Sequence, residues 1–234
     1  MRDDLKETQA FLWAHVRAPG TWWTGPERIA IAAETRRALS CALCRQRKTA
    51  LSPGAITGTH DTFGALSAAV VEVIHRVRTD PGRLSRAWFD GVIASGLSVP
   101  RYVEVVAVVA MVAGLDFFAR ALGIAPDALP APLPGEPSRY LPGAAKSGTA
   151  WVPMIAPEEA SGADAGLYGD LPLVPHIMQA LSVVPAEARA LRRSSEAFYV
   201  PLIHLSNPSF GRALDRTQIE LVAARVSALN ECFY

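Results

Sequence analysis

Residues 99–122 read VPRYVEVVAVVAMVAGLDFFARAL, and this stretch decides the fold class. Val99-Pro100 predicts a helix start, because proline is tolerated in the first turn. Gly123, directly after this stretch, predicts the helix end. The longest apolar run, residues 105–113, is much shorter than the ~20 residues that a membrane-spanning helix needs. Glu104 and Asp116 flank that run. We therefore predict a long helix buried in the core of a globular domain.

The rest of the chain also favours helices, because alternating strand patterns are scarce and Ala, Leu, Glu and Arg dominate. The sequence predicts further helices over residues 5–16, 26–39, 41–51, 62–79, 84–95, 176–181, 185–199 and 216–229. Asp80-Pro81-Gly82 ends one of them, Gly96 is a C-cap for another, and Asp215 is the N-cap of the last. The predicted fold class is all-α.

Residues 126–175 interrupt the helical pattern. Ten of the chain's 18 prolines fall within them, and such a stretch cannot form a long helix. One interpretation is a flexible linker. The other is an ordered segment that crosses the helices, since Trp151, Met154 and Ile155 give it apolar side chains to bury. The predicted organisation is a helical unit over residues 1–125, a Pro/Gly-rich connector over 126–175, and a second unit over 176–234.

Composition limits the functional classes. The chain has 234 residues, half of them hydrophobic and 19% charged, which is typical of a globular protein with a sizeable core. A net charge of +1 gives no electrostatic reason to expect nucleic acid or an acidic membrane as partner. The opening Met-Arg-Asp-Asp lacks the apolar region of a signal peptide. Three cysteines do not form a disulfide framework, so we expect a cytoplasmic protein with reduced thiols.

Cys41-Ala42-Leu43-Cys44 is the first candidate site. A Cys-x-x-Cys pair at a helix start places both sulfurs on one face, and the helix N-terminus favours a thiolate. Arg45, Arg47 and Lys48 follow directly, and nearby cations lower a thiol pKa. One thiolate can then attack an oxidant while the other resolves the product to a disulfide. The sequence therefore predicts a redox pair.

Two alternatives for this pair stay open. A zinc site needs two further ligands, for which Cys232, His60 and His75 are the obvious sources, although their spacing is not a zinc signature. The pair can also be structural, with two small buried side chains and no chemistry. His75 is in addition a candidate substitute base, on a helix expected to cover the pair.

The C-terminal part carries a second cysteine signal. The relevant stretches read LSVVP at 181–185, EAFY at 196–199 and LDRTQIELVAARVSALNEC at 214–232. Glu220 lies twelve residues before Cys232, and an asparagine turn separates the helix from the cysteine. This order of features resembles the alkylhydroperoxidase D-like, carboxymuconolactone decarboxylase superfamily. Thiol members of that family have a Glu-Leu-Val helix, a short turn, Cys-x-x-Cys and a histidine four residues later.

The resemblance implies a peroxiredoxin-type alkyl hydroperoxide reductase, a thiol peroxidase that reduces organic hydroperoxides. It assigns Glu220 to a proton relay and Cys232 to the resolving thiol, with an external dithiol, such as a thioredoxin-like or lipoyl protein, as reductant. It implies no cofactor and no metal, and the family commonly forms homo-oligomers. The expected architecture is two tandem units of an alkylhydroperoxidase D-like helical bundle, the second one truncated. The attacking residue would follow Tyr234. One hypothesis is a Cys-x-x-selenocysteine motif whose UGA codon was read as a stop, and a plain truncation or a frameshift is the alternative.

The first unit resembles the family less closely. Glu27 lies fourteen residues before Cys41 rather than twelve, and Lys48 stands where the family has histidine. The resemblance still makes Cys41 and Cys44 candidate catalytic thiols. Two other functions stay open: an enzyme like carboxymuconolactone decarboxylase, which does not need Cys-x-x-Cys, and a degenerate helical domain without activity.

Overall fold

A computed structural model describes residues 2–148, 150–169, 171 and 173–230. Within these ranges the chain forms nine α-helices and no β-strand, apart from a single bridge between Lys146 and Met154. The all-α prediction is confirmed. The helices are α1 (Asp3–Arg17), α2 (Gly25–Arg37), α3 (Ala42–Thr49), α4 (Ala68–Thr79), α5 (Arg86–Ala94), α6 (Val99–Ala121), α7 (His176–Gln179), α8 (Pro185–Phe198) and α9 (Arg216–Leu229).

Most predicted helix bounds agree with the structure within about two residues. Asp215 caps α9 by accepting a hydrogen bond from the backbone N–H of Gln218. The largest difference is α4, which begins at Ala68 instead of residue 62. Its predicted first turn is not helical because buried Glu34 accepts hydrogen bonds from the Thr62 hydroxyl and the Phe63 backbone N–H. Those contacts hold the segment before α4 against α2.

Helix α6 is the central element, packed against α2 and α4. Val105, Val108 and Val112 on this helix are completely buried. Among the described residues, α6 is the one helix that is long and apolar enough to cross a membrane by length and composition. However, 61% of its most apolar window is buried inside the protein, as the core-helix prediction requires.

A buried ion network joins four helices. Arg28 on α2 contacts Glu104 on α6, and its guanidinium lies 2.8 Å from Glu187 on α8. Glu187 also lies 3.0 Å from the imidazole of His15 on α1. The Arg28, Glu104 and Glu187 side chains are fully buried. Burying a charge is favourable only when it is paired, so this network fixes how the four helices meet.

The described residues between position 126 and the end of α8 pack against the helices of the first part of the chain. Ile155, Leu167 and Tyr168 in the proline-rich segment are buried in a small core that includes Met178 of α7. Ala190 of α8 belongs to the main core. In contrast, α9 has no buried residue. The proline-rich segment is therefore an ordered part of the fold in its described ranges.

Candidate functional site

Cys41 and Cys44 lie at the start of α3. Cys41 is the N-cap residue, with extended backbone, and Cys44 follows in the first turn. Both are buried free thiols. The Asp61 carboxylate accepts a 2.7 Å hydrogen bond from the Ala42 backbone N–H and so caps this helix end. The chain thus places two sulfurs side by side where helix geometry favours a thiolate.

Cys44 is the first member of a chain of three polar side chains. Its Sγ lies 3.2 Å from His75 Nδ1, and His75 Nε2 lies 2.8 Å from Glu34 Oε1. All three side chains are buried. A carboxylate that accepts the Nε2–H of an imidazole leaves Nδ1 as the acceptor. His75 is therefore oriented to accept the proton of the Cys44 thiol.

His60 contacts both thiols and lies next to His75, with the two ring centroids 4.2 Å apart. Its Nδ1 lies 3.5 Å from Cys41 Sγ and 3.5 Å from Cys44 Sγ. Its Nε2 lies 2.8 Å from Glu72 Oε2, and Glu72 also accepts hydrogen bonds from Arg47 and Trp88. The site therefore has two histidines, each held by its own carboxylate.

The environment moves the pKa values of the two imidazoles in opposite directions. Burial lowers the pKa of His75, and the nearby His60 adds to this effect against the opposing Glu34. Burial also acts to lower the pKa of His60, but hydrogen bonds to Cys44, Glu72 and Cys41 outweigh it and raise that pKa to about 10. His60 is therefore an imidazolium and His75 a neutral base at pH 7. Groups with separated pKa values are typical of acid–base pairs.

The site lowers the pKa values of both Cys41 and Glu72. Burial raises the pKa of the Cys41 thiol, but the backbone N–H of Cys44 and the contact with His60 lower it by more. Burial likewise raises the pKa of the Glu72 carboxyl, yet its hydrogen bonds with His60, Arg47 and Trp88 bring it down to about 2. The site therefore combines an imidazolium and a carboxylate with a thiol that loses its proton more readily than an ordinary cysteine.

A cavity of about 530 Å³ reaches Cys44 from the surface. Its wall is mainly apolar, with Val77, Val109, Ala113 and Phe117, and Arg45 and Lys48 also line it. Cys41 is not part of its lining. A small apolar molecule entering the cavity would thus meet Cys44 first.

The other described residues proposed from the sequence, Glu220 and Glu27, lie outside this cluster. Cys232 is outside the described residues. Glu220 accepts a 2.7 Å hydrogen bond from the Tyr199 hydroxyl and pairs with Arg216. Glu27 completes the capping box of α2 with Thr24. The relay role of Glu220 stays a prediction, and the structure gives the Cys41–Cys44 pair a different glutamate, Glu34.

Sequence reasoning missed the two carboxylates and gave His60 no catalytic part. One sequence signal could have indicated Glu72: it lies three residues before His75 on α4, so the two side chains share a helix face. Nothing in the sequence links Glu34 with His75, because these residues are 41 positions apart and meet only through the packing of α2 on α4.

Comparison with known proteins gives no relative. No family model, curated protein or solved structure matches the chain. The resemblance to the alkylhydroperoxidase D-like superfamily therefore remains a prediction.

Proposed function

We propose that this protein is a thiol peroxidase in which Cys44 attacks an organic hydroperoxide and Cys41 resolves the product. The observation that carries the proposal is the buried chain from Cys44 through His75 to Glu34, at the end of an apolar cavity. A thiol beside an oriented base is the usual arrangement of an activated cysteine nucleophile.

The first step oxidises Cys44. His75 Nδ1 takes the thiol proton, and the thiolate attacks the outer oxygen of the hydroperoxide. The O–O bond breaks, the alkoxide leaves with a proton from the site as the alcohol, and Cys44 becomes a sulfenic acid. His60, as an imidazolium 3.5 Å from the sulfur, stabilises the negative charge before the attack.

The second step forms the disulfide. The Cys41 thiolate attacks the sulfenic sulfur of Cys44, and the released hydroxide takes a proton to leave as water. Cys41 lies on the N-terminal side of the pair, three residues before Cys44, a spacing at which a disulfide can close. An external dithiol then reduces this disulfide and is itself oxidised to a disulfide. A reducing compartment such as the cytoplasm suits this cycle.

The test is to treat the reduced full chain with cumene hydroperoxide and map the products by peptide mass spectrometry. We expect a Cys41–Cys44 disulfide and one alcohol formed per disulfide. The Cys41→Ser variant should accumulate a sulfenic acid on Cys44, which dimedone traps. Cys44→Ser should consume no hydroperoxide. If the treated wild-type protein has no disulfide between these two residues, the proposal is wrong and the helical unit is structural.

A further inference from the structure

We propose that the reduced protein binds one Zn²⁺ through Cys41, Cys44, His60 and His75. The four ligand atoms all lie within 4.8 Å of one another. The inference does not rest on the peroxidase proposal, since metal binding needs only reduced thiols. Two thiolates and two imidazoles form one of the common ligand sets of structural zinc.

The spacing of the ligand atoms fits the ion. Tetrahedral zinc, with Zn–S near 2.3 Å and Zn–N near 2.0–2.1 Å, holds a sulfur and a nitrogen ligand about 3.5 Å apart. Three sulfur–nitrogen distances in the structure are 3.5 Å for Cys41–His60, 3.5 Å for Cys44–His60 and 3.2 Å for Cys44–His75. These three of the six donor–donor distances are close to the edge length of such a tetrahedron, and the remaining pairs lie within 4.8 Å.

The surroundings of the two histidines also fit. Both rings present Nδ1 to the sulfurs, and both Nε2 atoms lie 2.8 Å from a carboxylate, Glu72 for His60 and Glu34 for His75. Metal-bound histidines almost always donate their remote N–H to such a group, which fixes the ring and strengthens the ligand. Sulfur and nitrogen donors also exclude Mg²⁺ and Ca²⁺, which prefer oxygen.

Four protein ligands leave zinc no open coordination position, so the ion would be structural rather than catalytic. It would link the start of α3 to α4 and to the loop that carries His60. Bound zinc would occupy the sulfur lone pairs that attack an oxidant. Zinc-bound thiols should therefore resist alkylation and oxidation, and disulfide formation should release the ion.

The first measurement uses the reduced, metal-stripped full chain titrated with Co²⁺ and then Zn²⁺. We expect one Co²⁺ per chain, with the strong visible bands of a tetrahedral site and sulfur-to-metal charge transfer, both abolished by one equivalent of Zn²⁺. Cys41→Ser or Cys44→Ser should remove the charge-transfer intensity from that thiol. His60→Ala and His75→Ala should each weaken binding at least tenfold, while His176→Ala, which changes an exposed histidine outside the cluster, should bind as wild type.

The second measurement needs no variant and so survives a misfolded mutant. Alkylation of Cys41 and Cys44 in the wild-type protein is followed by peptide mapping with Zn²⁺ or with Mg²⁺. Zinc should slow modification of both thiols at least tenfold and Mg²⁺ should not. Equal rates with both ions, or an octahedral Co²⁺ spectrum, would overturn the zinc site. Neither result would affect disulfide formation in metal-free protein, so the two proposals fail separately.

Discussion

Two carboxylates give the two histidines beside the thiols different roles. Glu34 holds His75 in a fully buried position, where desolvation favours the neutral ring. Glu72 holds His60 beside both sulfurs, where burial is outweighed by hydrogen bonds to Cys44, Glu72 and Cys41 that favour the imidazolium. The same residue type therefore provides both a base and a cation beside Cys44, with the two ring centroids 4.2 Å apart.

The different roles of the two histidines predict the effect of removing His75. In metal-free protein, His75→Ala should slow oxidation of Cys44 by cumene hydroperoxide by about 10²- to 10⁴-fold, the usual contribution of a general base. The measurement is the second-order rate constant from stopped-flow kinetics. His176→Ala is the matched control and should keep the wild-type rate. A His75→Ala variant that keeps both its helical circular dichroism and the wild-type rate would exclude this base.

Two glycines, one inside α6 and one just after it, differ in backbone conformation. Gly114 lies within the helix, and a Cβ added there meets no atom within 4 Å. Gly123 follows the helix with φ of 70°, a conformation that other residues adopt at a cost. Helix interiors favour alanine, whereas the position after the helix requires glycine.

Gly114→Ala should therefore raise the free energy of unfolding by about 0.5–1 kcal/mol, because alanine loses less backbone entropy than glycine in a helix. Urea denaturation followed by circular dichroism measures the change. Gly123→Ala is the paired variant and should lower the stability. A destabilising effect of Gly114→Ala would mean that the exposed face of α6 at this position is covered by another surface.

The helices also show what the sequence predicts well. Local signals at Val99-Pro100 and Asp215 predicted the starts of α6 and α9 correctly, because capping and backbone preferences depend on neighbouring residues. Gly96 was predicted as the C-cap of α5, but Ser95 is the C-cap and Gly96 follows it with φ of 100°. The predicted start of α4 was wrong because Glu34 contacts Thr62 and Phe63. These partners are 28 and 29 residues away in the sequence, so no local signal indicates them. The Cys-x-x-Cys pair and His75 were predicted, but their carboxylate partners depend on tertiary packing and were not.

One buried arginine joins helices from the N-terminal and C-terminal halves of the chain. Arg28 contacts Glu104 and Glu187, and the two carboxyls respond differently. Burial and the nearby Glu187 raise the pKa of Glu104 despite the attraction of Arg28. Burial also acts to raise the pKa of Glu187, but Arg28 and His15 together lower it to about 2. Glu187 is therefore the more acidic of the two carboxyls that contact Arg28.

Glu187→Gln should lower the free energy of unfolding by about 3–5 kcal/mol at pH 7, because it leaves the buried guanidinium without its main counter-charge. Glu104→Gln should cost less, since Glu104 is the carboxyl that is more easily protonated. Asp90→Asn breaks an exposed pair with Arg86 and should have no measurable effect. Equal losses for the two buried variants would contradict the assignment of charge to Glu187.

The same network predicts how stability depends on acid. The pKa of Glu187 is about 2 in the folded protein, below the ordinary value of about 4.3 for an unfolded chain. A lowered folded pKa stabilises the protein fully above the unfolded value, and this contribution is lost as pH falls from about 4.3 towards 2. Glu104 acts in the opposite direction, because its raised pKa makes protonation in the folded state favourable.

Urea midpoints between pH 7 and pH 2 should fall less steeply for Glu187→Gln than for wild type, and more steeply for Glu104→Gln. Parallel curves for all three proteins would show that these carboxyls do not control acid unfolding.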